Sequence, residues 1–154
     1  MPIYRACADA LRASTAQANA RRRGSAAVLE RECHGEALWL LQHADVVVAC
    51  SRSDGWSLVA SEAFALGSDS QRLILSSMVG AAELIGPFAQ VVDDPYNDDE
   101  IARAMRTAIE APARTVGLSR RELALPTPGS WWSAILEAHR RYGLGRESGL
   151  AAPL

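Results

Sequence analysis

Asp54-Gly55-Trp56-Ser57-Leu58-Val59-Ala60-Ser61-Glu62 follows the apolar run Ala44-Asp45-Val46-Val47-Val48-Ala49-Cys50 after only Ser51, Arg52 and Ser53. The apolar run is short and rich in β-branched residues, so it reads as a buried strand over residues 46–50. The segment from Ser57 to Leu66 carries Leu, Val, Ala and Phe without a breaker and reads as a helix. An acidic residue, a glycine and a small hydroxyl residue therefore sit where a strand ends and a helix begins. Open α/β sheets bind ligands at that end of their strands. The N–H groups at a helix start have no intrahelical acceptor and suit a phosphate. Glu62 lies about one turn further in, within reach of a sugar hydroxyl.

Working outward, the same alternation recurs. Residues 72–76 and 88–92 read as two further strands. Residues 81–85 read as a short helix and 67–71 as a polar loop. Residues 98–110 form an amphipathic pattern, with Ile101, Ala102, Met105 and Ile109 on one face and Asp98 and Asp99 at the positive N-terminal end. Upstream, residues 35–42 predict a helix with Leu38, Leu40 and Leu41 turned inward, and 26–29 a short strand. Residues 3–23 predict a helix with Ile3, Cys7, Ala10 and Leu11 as its buried stripe, closed by Arg21-Arg22-Arg23-Gly24. In the helix after Ser57, the inward residues are expected to be Leu58, Ala60, Phe64 and Ala65. Pro126-Thr127-Pro128-Gly129 breaks the chain before a last helix over 130–142, where Trp131 and Trp132 are expected to pack. Residues 143–154 read as a loose tail. Strands alternating with helices predict an α/β fold, a Rossmann-like parallel sheet flanked by helices.

Three segments together resemble the trehalose-6-phosphate synthase family of glycosyltransferases. That family carries an Asp-Gly-Met-Asn-Leu-Val-x-Lys-Glu pattern after a hydrophobic strand, matched here by residues 54–62. Leu73-Ile74-Leu75-Ser76-Ser77-Met78-Val79-Gly80-Ala81-Ala82-Glu83-Leu84 resembles its strand, Ser-x-Phe-Ala-Gly-Ala-Ala turn and helix. Val91-Val92-Asp93-Asp94-Pro95-Tyr96-Asn97 is similar to its Val-Asn-Pro-Tyr-Asp turn. The three motifs occur in the family's order and spacing, and the similarity spans about residues 3–142.

The resemblance implies the later part of the second domain of a GT-B fold, in which two Rossmann-like domains face a cleft. Residues 1–142 would then be a partial nucleotide-sugar-binding domain. The implied substrate is a donor such as UDP-glucose or GDP-glucose, with no cofactor and no metal. The implied activity is retaining transfer of glucose to glucose 6-phosphate, in trehalose biosynthesis. Asp54, Gly55 and Trp56 would meet the donor sugar. The backbone of Ser57, Leu58 and Val59 would hold the diphosphate, and Glu62 the ribose hydroxyls. Gly80 and Ala81 would lie close to the donor.

Each position has a plainer reading beside this one. Asp-Gly closes Asx turns and caps helices, Glu62 fits a solvated helix face, and Gly80-Ala81 fits tight packing of helix on sheet. Tyr96 and Asn97 read as a turn and a helix cap. Trp56 and Ser61 replace the family's methionine and lysine, which leaves the donor open. His34 and His43 accompany no nucleophile pattern.

All 16 basic residues are arginine, so the lysine of the family's upstream phosphate-binding motif has no counterpart in this sequence. The expectation is therefore a fragment or split subunit that works with a polypeptide carrying the other half, or self-associates. The alternatives are a non-catalytic remnant or interaction module, or part of a cyclitol-donor pseudo-glycosyltransferase.

Composition fits one ordinary domain of 154 residues, 49% hydrophobic and 22% charged. A net charge of −2 gives no general attraction to nucleic acid or membrane surfaces. Cys7, Cys33 and Cys50 are odd in number and have no metal or redox spacing. Residues 2–23 are polar rather than an apolar signal core. The expected setting is the reducing cytoplasm. No Gly-x-Gly-x-x-Gly, P-loop or Cys/His zinc pattern occurs, which argues against dehydrogenase, kinase and metal-hydrolase readings.

Overall fold

Three short apolar segments bounded by polar turns become three parallel strands in the computed structural model, which describes residues 2–30, 33–110 and 123–142. The chain divides into two units, Met1–Ala37 and Leu38–Leu154.

In the first unit, α1 spans Pro2–Arg21. Gly24, with φ +73°, takes the left-handed turn just after it, a conformation glycine adopts at no steric cost. Arg12 bridges Asp9 at 2.8 Å and Glu30 at 2.6 Å. That pairing raises the guanidinium pKa and lowers that of the Glu30 carboxyl, chiefly through their shared hydrogen bond. The predicted strand over 26–29 does not form. The Asn19 side chain takes both backbone groups of Ala26, donating to its carbonyl at 2.8 Å and accepting from its N–H at 3.0 Å. A ladder has no such groups left at that position. Of the expected buried stripe of α1, Cys7, Ala10 and Leu11 are exposed, and the Ile3 side chain lies outside the described ones.

In the second unit the strands are β1 (Val46–Ala49), β2 (Arg72–Ser76) and β3 (Ala89–Val92), in the order β1-β2-β3. Both pairings are parallel, with Val48 opposite Ile74 and Ile74 opposite Gln90. The connections are α3 (Leu58–Leu66) and α4 (Ala82–Ile85), the latter followed by a 3₁₀ turn at Gly86–Phe88. α5 (Asp98–Glu110) follows β3. α2 (His34–His43) precedes the sheet and α6 (Pro128–Tyr142) comes last.

The sheet carries a core on each face. On one, Leu73 and Leu75 pack with Ala60, Ala63 and Phe64 of α3 and Ile85 of α4. On the other, Ile74 and Val92 pack with Ala104 and Ala108 of α5. Successive side chains of a strand point to opposite faces, so β2, buried on both, is apolar from Leu73 to Leu75. Helices on both faces of a parallel sheet make the Rossmann-like arrangement that the alternation of elements predicts.

Several inward faces differ from expectation. On α3, Ala63 is buried, whereas Leu58 and Ala65 are exposed. Residues 60, 63 and 64 share the helix face that meets the sheet, and Leu58 starts the helix out over its own N-terminal loop. On α5, Ala104 and Ala108 are buried while Met105 and Ile109 are 41% and 68% exposed. Small residues let the helix lie close on Ile74 and Val92, and the bulky ones are left at the margin. On α2, Leu41 packs on the core, Leu38 is half-buried and Leu40 is exposed.

β1 is not buried throughout either. Val47 and Ala49 are inside and Val48 is 37% exposed. α6 begins earlier than predicted. Thr127 Oγ1 accepts from the Ser130 N–H, and Ser130 Oγ accepts from the Thr127 N–H. This reciprocal cap puts Pro128 at the first helical position, where its missing N–H costs nothing. Trp131 and Trp132 on α6 are exposed rather than packed. Residues 143–154, expected as a tail, lie outside the described residues.

Candidate functional site

The loops leaving β1 and β2 are joined by backbone bonds beyond the ends of the strands. The Asp54 N–H donates to the Met78 carbonyl, Gly80 N–H to the Asp54 carbonyl at 3.0 Å, and Ala81 N–H to the Trp56 carbonyl at 3.1 Å. Asp54 and Val79 thereby form a parallel bridge outside the named strands. The backbones meet so closely that a Cβ on Gly80 would lie 2.0 Å from the Gly55 carbonyl oxygen. Glycine at 80 is required for the two loops to touch.

On this base Asp54 folds its own loop. Its Oδ1 accepts the Trp56 N–H at 3.1 Å and the Ser57 N–H at 2.8 Å. This is the Asx turn allowed for in the plainer reading of Asp-Gly. Ser57 follows with φ 71° and ψ 98°; among the described residues it is the sole non-glycine with positive φ. It is 6% exposed and caps α3, its Oγ accepting the Ala60 N–H at 3.3 Å. Its carbonyl accepts from both the N–H and the hydroxyl of Ser61.

These bonds leave a definite remainder. Four N–H groups at a helix start have no intrahelical acceptor. Here the Ser57 N–H goes to Asp54 and the Ala60 N–H to Ser57. The N–H groups of Leu58 and Val59 have no acceptor among the described residues. Both residues line an open cavity of about 670 Å³ at the carboxyl end of β1. Its walls come from Val48 to Ser51, Asp54 and Trp56 to Val59. Cys50 is part of that wall; its thiol pKa is raised, first by burial and then by the nearby Glu100.

The cavity brings together Asp54, Trp56, Ser57, Leu58 and Val59. Glu62 is not among its lining residues. It is half-buried on α3, one turn beyond Val59 and adjacent to it on the helix surface. Gly80 and Ala81 spend their N–H groups on the β1 loop, and Ala81 is fully buried. Asn97 Oδ1 caps α5 by accepting the Glu100 N–H, as expected. His43 stacks on Trp39 at 4.3 Å and bonds its carbonyl, so that histidine stands apart from the site. Two features escape sequence reasoning. One is the backbone of Ser57, which no residue type announces. The other is Arg52, whose guanidinium lies over the Tyr96 ring at 4.6 Å; the two are far apart in sequence.

A parallel sheet with helices on both faces and its open helix start beside the strand ends is the architecture of a GT-B glycosyltransferase domain. The chain belongs to the family of glycosyl transferases group 1, whose model matches residues 28–122. Among solved structures it is similar to a trehalose-6-phosphate synthase used to analyse glycosyltransfer with retention through bisubstrate glycomimetics. The TM-score is 0.60 and the identity 22%, over 79% of this chain and 27% of that one. The trehalose-6-phosphate synthase OtsA gives a TM-score of 0.60 at 23% identity, over 80% of this chain and 26% of that one. The chain thus spans about a quarter of the length of these synthases. Comparison with curated proteins returns no match. No described helix is long and apolar enough to cross a membrane.

Proposed function

We propose that this chain is the donor-binding part of a retaining glycosyltransferase resembling trehalose-6-phosphate synthase. The observation that carries the proposal is the pair of N–H groups at Leu58 and Val59 that have no acceptor among the described residues, on residues that line a cavity at the strand ends. Such a pair, at the positive end of a helix, takes up a phosphate oxygen. The donor would be a nucleotide sugar such as UDP-glucose or GDP-glucose. Its diphosphate would sit on the backbone of Ser57, Leu58 and Val59. Its sugar would meet Asp54, Gly55 and Trp56, through the Asp54 carboxylate and the tryptophan face. Glu62, one turn on, would accept from the ribose hydroxyls of a donor extending along α3. Gly80 and Ala81 hold the loop that carries these groups.

Transfer to glucose 6-phosphate would need an acceptor site and further phosphate-neutralising cations. We propose that a polypeptide region carrying the other GT-B half supplies them. Titration of the chain with UDP-glucose and GDP-glucose by calorimetry tests donor binding: weak, saturable binding is expected. Absence of saturable binding to either nucleotide sugar would remove the proposal's basis. An assay for trehalose phosphate with these 154 residues alone is expected to stay at background. Clear turnover by the purified chain would contradict the requirement for another half.

A further inference from the structure

Ser76 ends β2 directly after Leu73-Ile74-Leu75, and its side chain is fully buried. A buried hydroxyl is costly unless it is bonded, and this one is bonded twice. Its Oγ donates to the Ser51 carbonyl at 2.6 Å and accepts the Met78 N–H at 3.2 Å. The ladder between β1 and β2 has stopped by then, with Ala49 opposite Leu75 as its last pair. Ser76 therefore carries the contact between the two strands on into their loops. The Met78 carbonyl in turn accepts the Asp54 N–H at 3.2 Å. One hydroxyl thus holds both ends of the segment 51–54, Ser51 directly and Asp54 through the Met78 backbone. Ser51 and Asp54 both line the cavity, and the Asp54 carboxylate accepts the N–H groups of Trp56 and Ser57 that shape the entry to α3.

We infer that Ser76 is a positioning residue of the cavity: without touching a ligand, its hydroxyl fixes the wall that the β1–α3 loop forms. The inference rests on the donor-site reading above for the ligand, a nucleoside diphosphate, and on the hydrogen bonds alone for the wall. A fully buried hydroxyl acts on the cavity only through the groups it bonds. Here those bonds run in series, from the Met78 N–H through the hydroxyl to the Ser51 carbonyl, and bonds in series polarise and strengthen one another. Loss of the hydroxyl frees the Ser51 carbonyl and the Met78 N–H together, so the segment from Cys50 to Asp54 loses its hold on β2.

A control must lose a buried tether elsewhere on the same strand. Gln71, buried just before β2, supplies it: its Nε2 donates to the carbonyls of Leu41 and Ala44, at the opposite end of β2 from Ser76. Ser76→Ala, Ser76→Thr, which keeps a hydroxyl, and Gln71→Ala are compared with the wild-type chain by two readouts. One is iodoacetamide modification of Cys50 in the cavity wall, with the exposed Cys7 and Cys33 as internal standards. The other is calorimetric titration with UDP. In Ser76→Ala, Cys50 is expected to react several-fold faster and UDP to bind about tenfold more weakly, the equivalent of one hydrogen bond. Ser76→Thr is expected to stay closer to wild type in both, and Gln71→Ala to melt earlier while moving neither. A Cys50 rate or a UDP affinity in Ser76→Ala equal to wild type would overturn the inference. Equal changes in Ser76→Ala and Gln71→Ala would also overturn it, because Ser76 would then act through stability alone. A wild-type chain that does not bind UDP overturns the donor-site reading, and the Cys50 rates then decide the inference by themselves. Should Ser76→Ala fail to fold, amide hydrogen exchange on the wild-type chain decides it. Met78 is 52% exposed, yet its N–H is expected to exchange slowly, and fast exchange there would show that the Ser76 bond does not hold in solution.

Discussion

Asp54 Oδ1 lies 2.8 Å from the N–H of Ser57, and Ser57 is the described non-glycine residue held at positive φ. The bond and the strain belong together. A buried serine at φ 71° costs of order 1–3 kcal/mol and persists because its N–H, carbonyl and hydroxyl are all engaged. The arrangement uses up the helix-start donors of Ser57 and Ala60 internally and leaves the two between them, on the cavity-lining residues Leu58 and Val59, without an acceptor among the described residues.

Removing the carboxylate should release that loop. Asp54→Ala loses two backbone bonds to a charged acceptor, a destabilisation of about 2 kcal/mol or more. Asp54→Asn keeps an acceptor oxygen and should lose less. Thermal melts of the two variants check the order.

Ser57 allows a sharper comparison. Ser57→Ala removes the cap and keeps the strained φ, costing about 1 kcal/mol. Ser57→Gly also loses the hydroxyl, but glycine adopts φ 71° freely. The glycine variant should therefore melt above the alanine variant. The reverse order would show that Ser57 is not strained in solution.

Gly80→Ala places a methyl group 2.0 Å from the Gly55 carbonyl oxygen, against backbone that has little room to give. Overpacking of this kind costs about 1–3 kcal/mol. Because the clash lies in the bridge between two loops, binding of UDP-glucose should fall along with stability. Calorimetry and melting on one preparation check both.

Cysteine reactivity reports on the cavity. Cys7 and Cys33 are exposed, whereas Cys50 is half-buried in the cavity wall with a raised thiol pKa. Thiolates react and thiols do not, so iodoacetamide near neutral pH should modify Cys7 and Cys33 before Cys50. Saturating UDP should slow Cys50 further and leave the other two unchanged. Peptide mass spectrometry over a time course resolves the three sites.

Much of the sheet was legible because its signals are local. β2 and α5 take the predicted residue ranges, since an apolar run between polar turns and an acidic helix start each settle their own boundaries. The inward faces were less legible. Met105 and Ile109 are the more apolar residues of α5, yet Ala104 and Ala108 face the sheet, because close approach favours small side chains over hydrophobic ones. The strand expected over 26–29 fails for a reason equally hidden in sequence, the capture of Ala26 by Asn19. At the site, Asp-Gly announced a turn and a helix start. The φ of Ser57 and the stacking of Arg52 on Tyr96 depend on contacts that no local pattern encodes.

β1 and β3 are the outer strands of the described sheet, with Val48 and Val91 37% and 39% exposed. Unpaired strand edges and exposed apolar side chains favour association. The chain alone is expected to self-associate or to need a partner polypeptide. Size-exclusion chromatography with light scattering decides: a stable 16.5 kDa monomer with a sharp melt would show that these edges are adequately covered.

The central claim is that the Leu58 and Val59 N–H groups bind phosphate. Backbone amide NMR during titration with UDP tests it most directly. The account predicts saturable shifts at Leu58 and Val59, the largest in the chain, and much smaller ones at the same residues with uridine. UDP binding that leaves both amides unmoved would contradict it.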